Sequence, residues 1–353
     1  MEQQQAKKWF INCIVLLASV LLAIAVLVVV IDPYFHYHKP FSFLSYRLFE
    51  ERYVNDGISR HFDYDAMITG TSMTQNFKTS EMDALFGTNA VKAPFSGAGY
   101  QELSNHLIRA LQRNEKLKTV VWAIDYNGLL RDYDWAKYDE YPTYLYDNNL
   151  LNDAPYLLNK SILYHGVLSS LEMTISGKPR TTMDEYSSWQ YETGLEHILS
   201  SYDRTGLEPV SEQEFGKAER EKVTQTIDEN IVQLVNQYPN TTFYLFYTPY
   251  SICYWDALHL KGTLNKQIEA EQTATELLLQ CSNVRLFNFF DHSELICDLN
   301  YYNDDGHYSA EGNSMILQWM AAEIGLITQE NYLDRLQQEK MFFLNYDYDA
   351  VFE

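Results

Sequence analysis

The chain has 353 residues, with 26 Lys and Arg against 48 Asp and Glu, and a formal net charge of −22. A surface this acidic suits an exported, soluble domain and repels nucleic-acid and polyphosphate backbones, which disfavours passive binding to either. The four cysteines show no CxxC or metal-type spacing: Cys13 lies in an apolar run, and Cys253, Cys281 and Cys297 allow either one disulfide or buried free thiols.

Trp9 to Ile31 is a run of mostly Leu, Ile, Val and Ala, broken only by Asn12 and Ser19 and free of charge. At about 1.5 Å per residue it covers the roughly 30 Å hydrocarbon core of a bilayer. Lys7 and Lys8 precede it and Asp32 and Pro33 follow, so the positive-inside rule predicts a cytoplasmic N-terminus. A cleaved signal peptide needs small residues after a shorter apolar core, whereas Val28-Val29-Val30-Ile31 runs directly into Asp32. The expected organisation is a cytoplasmic tip at 1–8, a transmembrane anchor at 9–31 and a juxtamembrane segment at 32–60. A folded extracytoplasmic domain follows at 61–328, with an insertion at about 129–210, and a tail occupies 329–353. In the juxtamembrane segment, His36 and His38 are interleaved with Tyr34, Phe35 and Tyr37, followed by Phe41 and Phe43. That pattern reads as an aromatic membrane-interface belt in preference to a metal pair.

From Asp65 a regular alternation begins. Ala66 to Thr69 reads as a buried strand ending at Gly70, followed by a helix from Glu81 to Phe86 closed by Gly87. Asn89 to Ala93 is a second strand, and the turn Phe95-Ser96-Gly97-Ala98-Gly99 leads to a helix from Gln101 to Asn114. Its Leu103, Leu107, Ala110 and Leu111 share one face. Thr119 to Ile124 is a third strand, ending at Asp125. The rhythm breaks from Leu129 to Val210, a Tyr-, Asp- and Asn-rich stretch with weak helical pieces near Leu150 to Leu171, read as an insertion or lid. It resumes with a helix from Glu212 to Gln237, a strand from Thr242 to Tyr247, a helix from Lys266 to Leu279, a fifth strand from Val284 to Phe289, and a helix from Ala310 to Ile324. Strands alternating with helices predict an α/β fold, with a parallel sheet of about five strands and helices on both faces. Ser72, Gly97 and Asp125 each fall just past a strand end, where such sheets form their sites.

Two motifs carry chemistry. Gly70-Thr71-Ser72 ends the first strand, and Asn303-Asp304-Asp305-Gly306-His307 precedes the last helix. An acid three residues before a histidine on a loop can turn its carboxylate onto the imidazole Nδ1 and leave Nε2 to take a proton from a serine hydroxyl. Each motif also has a structural reading. Ser72-Met73-Thr74-Gln75 fits a helix capping box, and His307 fits an ordinary turn before a helix capped by Ser309. A calcium loop fails, because Gly306 at position six puts Tyr301 and Gly312 where acidic ligands are needed. No metal or cofactor is expected.

With these motifs the chain resembles the GDSL/SGNH hydrolase superfamily over roughly Asp65 to Ile324. The resemblance implies a flavodoxin-like sheet, with Ser72 as nucleophile, His307 as base and Asp304 as its orienting acid. It also implies an oxyanion hole from the N–H groups of Ser72 and Gly97. The family's usual Gly-Asp-Ser is Gly-Thr-Ser here. Its Gly-x-Asn-Asp block, which lends a side-chain amide to that hole, is replaced by Ala123-Ile124-Asp125-Tyr126-Asn127, leaving Asn127 as an out-of-register substitute. The closer likeness is to membrane-anchored extracytoplasmic proteins of polysaccharide O-acetylation and teichoic-acid D-alanylation, which often work beside a multi-pass membrane acyltransferase. The implied activity is acyl transfer to, or ester hydrolysis on, a cell-surface polysaccharide or polyol polymer. Tyr100, Tyr126 and the insertion's Tyr138, Tyr141, Tyr144 and Tyr146 are candidates to meet sugar rings. The alternative is a non-catalytic accessory subunit of an acyltransferase or polysaccharide-export complex.

Overall fold

The computed structural model describes residues 2–138, 141–202, 204 and 208–351. The chain divides into two compact units, Met1–Phe62 with Glu140–Thr182, and Asp63–Asp139 with Met183–Glu353.

In the first unit, Glu2–Ile31 is one continuous helix of 30 residues. Most of its apolar side chains from Trp9 to Val30 are exposed, and its Gln3–Ile31 portion is long and apolar enough to cross a membrane. The helix stops at Asp32, whose backbone turns left-handed at φ 47°. The buried Asp32 carboxylate then accepts the N–H groups of His36, Tyr37 and His38, at 2.7 to 3.0 Å, and the Tyr156 hydroxyl at 2.8 Å. This hook folds the aromatic segment back and divides it. Tyr34, Phe35 and His36 are buried, His36 with its Nε2 3.3 Å from the Asp153 carboxylate, while Phe41 and Phe43 stack on each other at the surface. An all-surface belt is therefore not what forms. Much of the stretch read as an insertion belongs to this unit, where the Ala154–Leu157 helix and the Ile162–Leu168 π-helical turn pack on the first helix.

The second unit is α/β. Its sheet has six strands: β1 (Ala66–Gly70), β2 (Ala90–Pro94), β3 (Thr119–Ile124), β4 (Thr242–Tyr247), β5 (Val284–Phe287) and β6 (Leu326–Ile327), in the order β2-β1-β3-β4-β5-β6. The first five are parallel and β6 runs antiparallel to β5. The middle strands are mostly apolar and mostly buried, so they show little of the alternation of a half-wet sheet. Every residue of β1 is buried, as are Val120 to Ile124 of β3. The Tyr100–Arg113 helix buries Leu103, Leu107, Ala110 and Leu111.

Several elements differ from the sequence reading. The helix expected from Glu212 begins at Lys217, after Gly216, whose N–H bonds the Glu219 carboxylate; it passes through a π-helical turn at Asp228–Val232 before Gln233–Gln237. An additional helix, Ile252–Leu260, follows β4. The tail is not an appendage. It forms a Tyr332–Asn345 helix whose Phe343 stacks on Trp255 with ring centroids 3.8 Å apart. The strand order reverses at β1, with β2 on one side and β3 on the other, which opens a crevice past the carboxyl ends of β1 and β3. The candidate residues converge there.

Candidate active site

Gly70 closes β1, and Ser72–Thr74 is a single 3₁₀ turn whose cap is Thr71. Thr71 Oγ1 accepts the Met73 N–H at 3.4 Å and donates to the Asp125 carboxylate at 2.8 Å, so capping is not the job of Ser72. The half-buried Ser72 points its Oγ to within 2.7 Å of His307 Nε2.

His307 sits on a tightly closed loop. Tyr302 and Tyr308 pair across it and are both fully buried, and the Asn303 N–H donates to the His307 carbonyl at 2.8 Å. The Tyr302 hydroxyl ties the loop to the Pro249 carbonyl at 2.7 Å. Within it, the Asp304 carboxylate accepts the N–H groups of Gly306 and His307 at 2.9 and 2.7 Å and meets His307 Nδ1 at 2.8 and 3.0 Å. An ionised carboxylate only accepts, so Nδ1 carries the hydrogen and Nε2 presents a lone pair to the serine hydroxyl. Burial alone would push the His307 imidazole down. The hydrogen bond and charge of Asp304, with Asp125 and Asp305 behind, overcome that and raise it above the ordinary histidine value. Burial likewise works to raise Asp304, and its bonds to His307 and to the loop N–H groups lower it below the usual carboxylate range.

Opposite the serine, Gly97 adopts φ 65°, a left-handed conformation suited to glycine. The Ser72 and Gly97 N–H groups have no acceptor among the described residues, which leaves both available to a developing oxyanion. Asn127 reaches the same cleft: its side-chain amide donates to the Tyr250 hydroxyl at 2.9 Å, and that hydroxyl donates to Asp125 at 2.8 Å. One amide hydrogen of Asn127 is thus committed and one is not. The cleft, of about 450 Å³, exposes Ser72, Gly97 and His307 together with Arg131, Trp135 and Lys137.

Tyr126 is not on the cleft. Asp125 caps the short Tyr126–Leu129 helix, and Tyr126 turns into the core, where its hydroxyl donates to Glu271 at 2.8 Å. Tyr100 lines the cleft as wall, with its hydroxyl donating to the Asp125 carbonyl at 2.7 Å, so that hydrogen is not free for a sugar. Tyr141, Tyr144 and Tyr146 belong to the first unit, where the Tyr146 hydroxyl bonds the Arg52 carbonyl and Arg52 lies over the Tyr141 ring. Tyr138 is exposed in the second unit, with the Lys137 ammonium 5.4 Å from its ring centre.

Three groups of residues at the site carry no motif and were not legible in advance. Trp189 packs edge-on against the His307 ring at 5.3 Å and donates from Nε1 to Gln75 at 2.5 Å. Tyr250 joins Asn127 to Asp125. Arg131 and Lys137 line the cleft. Among the described residues no cluster of three His, Cys, Asp or Glu is arranged for a metal, and all four cysteines are free thiols. No family model matches the chain, and no curated protein matches it.

Proposed function

We propose that this chain is a membrane-anchored, extracytoplasmic serine acyl-transfer enzyme of the GDSL/SGNH type, an O-acyltransferase or acyl esterase acting on a cell-surface polysaccharide or teichoic-acid-like polymer. The observation that carries the reading is the unbroken line from Ser72 Oγ through the His307 ring to Asp304, with contacts of 2.7 and 2.8 Å. The strand order 2-1-3-4-5, with the serine just past β1, supports a flavodoxin-like SGNH domain. The Gln3–Ile31 helix and the lysines before its apolar run support an anchor with the N-terminus inside.

In this mechanism Ser72 Oγ attacks the acyl carbonyl carbon as its proton passes to His307 Nε2, and Asp304 stabilises the imidazolium. The tetrahedral oxyanion rests on the Ser72 and Gly97 N–H groups, with the uncommitted Asn127 hydrogen as third donor. Collapse breaks the bond to the leaving oxygen, which takes the proton from Nε2. An acceptor hydroxyl, or water, then gives its proton to Nε2 and attacks the acyl-serine, and collapse breaks the bond from the acyl carbon to Ser72 Oγ, which takes the proton back from Nε2. A neighbouring multi-pass acyltransferase fits as the source of the acyl group.

The test is labelling of the full-length protein in membranes by a fluorophosphonate probe. Labelling that disappears in Ser72→Ala and His307→Ala supports the proposal. A folded protein that takes no label overturns it and leaves the accessory-subunit reading.

A further inference from the structure

We infer that Arg131 and Lys137 form an anion-binding edge of the cleft, which holds a phosphodiester or carboxylate carried by the polymer that receives the acyl group. The acceptor role rests on the acyl-transfer reading of Ser72; the anion site itself does not.

A net charge of −22 sets the problem. An anionic polymer approaching such a surface is repelled everywhere except where cations are concentrated, so a local pair of cations beside the serine acts as a selective entrance. The cleft has that pair. Its lining contains one carboxylate, Asp125, whose oxygens are taken by Thr71, Tyr250 and the Asn127 N–H. Neither Arg131 nor Lys137 has a carboxylate partner among the described residues. Arg131 and Lys137 are therefore the cationic groups that this cleft presents to an incoming anion.

Both cations sit on one segment that is held in place, not trailing in solvent. The Arg131 carbonyl accepts the Thr226 hydroxyl at 2.9 Å, Lys222 pairs with Asp132 at 2.8 Å, and Asn230 donates to the Tyr133 carbonyl at 2.9 Å. At the far end the segment lies against the glycine turn so closely that a Cβ on Gly99 would stand 2.0 Å from the Trp135 carbonyl. The Arg131 guanidinium is oriented by a bond from Nε to the Asn127 carbonyl at 3.0 Å and by stacking 3.6 Å over the Trp135 ring. That leaves its terminal N–H groups as a fixed fork for an oxyanion. Lys137 places its Nζ 2.8 Å from where a Cβ of Gly97 would be, beside the backbone that faces Ser72. The anion is therefore held next to the reacting carbonyl.

The experiment measures binding to full-length Ser72→Ala protein in detergent micelles, so that no turnover intervenes. Equal-length glycerol-phosphate, oligouronate and neutral glucan oligomers are compared at low and high salt. The expected result is roughly tenfold tighter binding of an anionic oligomer than of the neutral one, weakening as salt rises. Arg131→Gln and Lys137→Gln should each remove most of that preference, while Lys116→Gln, an exposed lysine paired with Asp63, should not. Tighter binding of the phosphate oligomer assigns a phosphodiester, and of the uronate a carboxylate. Equal binding of charged and neutral oligomers, or a preference untouched by both glutamine variants in proteins that melt like the parent, overturns the inference. Charge preference persisting where fluorophosphonate labelling fails would leave the anion site standing and remove only the acyl chemistry.

Discussion

Ser72 Oγ lies 2.7 Å from His307 Nε2, across 235 positions of chain. The contact is not a chance surface encounter. One partner is fixed by the end of β1 and the Thr71–Asp125 bond, the other by a loop closed between two fully buried tyrosines. Both ends are set by core packing, so the fold itself holds the pair in place.

Asp304 sets both the tautomer and the basicity of His307. Because Asp304 raises the imidazole, the neutral form that accepts the serine proton accumulates only as pH climbs above the ordinary histidine value. The rate of fluorophosphonate labelling should therefore rise with pH through a midpoint above about 6.5. Asp304→Asn should lower the rate by about 10³- to 10⁴-fold and move the midpoint downward. A variant with an unchanged midpoint would separate Asp304 from His307.

Gly97 carries two constraints at once, a left-handed φ of 65° and the Lys137 side chain lying where a Cβ would stand. Gly97→Ala should cost about 1–2 kcal/mol from the backbone alone and slow labelling by roughly 10- to 100-fold as the oxyanion N–H shifts. Lys137→Ala in the same chain should recover only the steric part, read as a partial return of the melting temperature. Full recovery would place all the damage on the lysine.

Trp189 steadies the imidazole from the side, ring to ring at 5.3 Å and 76°. Trp189→Ala should slow labelling by roughly tenfold, on the scale of one aromatic contact, and Trp189→Phe should restore most of it. Equal losses in the two variants would point to the indole bond with Gln75 instead.

The sheet was legible because buried parallel strands are short apolar runs bounded by Gly, Pro and Asp. The β3 and β4 boundaries match the sequence reading residue for residue, and β1 and β2 do so within one position at each end. β6 was not, since two residues cannot display a period. Nor was the Ile252–Leu260 helix, where Tyr254, Trp255 and Cys253 are poor helix formers held by burial on several sides. At the site, Ser72, Asp304 and His307 stood out because their chemistry is tied to local spacing. Tyr126 misled because a tyrosine after a strand end looks exposed, while the buried Glu271 and Glu339 that draw it inward lie far along the chain. Arg131 and Lys137 line the cleft and Trp189 packs on His307 from irregular stretches of chain, where no local pattern marks them.

That inward Tyr126 reports on a buried carboxyl pair. Glu271 and Glu339 are fully enclosed, and Asn288 donates to them at 2.5 and 3.1 Å while the Tyr126 hydroxyl contacts both. Burial raises both carboxyls, and the neighbouring Glu271 charge raises Glu339 further, so the two titrate as a pair that holds its proton above the ordinary glutamate value. Below the ordinary glutamate value, near 4.5, the folded and unfolded chains are both protonated and the pair is at its most favourable. As pH rises past that value the unfolded chain releases protons that the folded chain still holds, so stability falls until the raised folded value is passed. Glu339→Gln keeps the shape of the protonated acid and removes its titration. It should melt like the parent near pH 5 and higher than the parent at pH 8, by about 1–3 kcal/mol, or roughly 2–4 °C for each kcal/mol. Thermal melts of both proteins across that range provide the check, and parallel pH slopes would mean that the pair carries no shared proton.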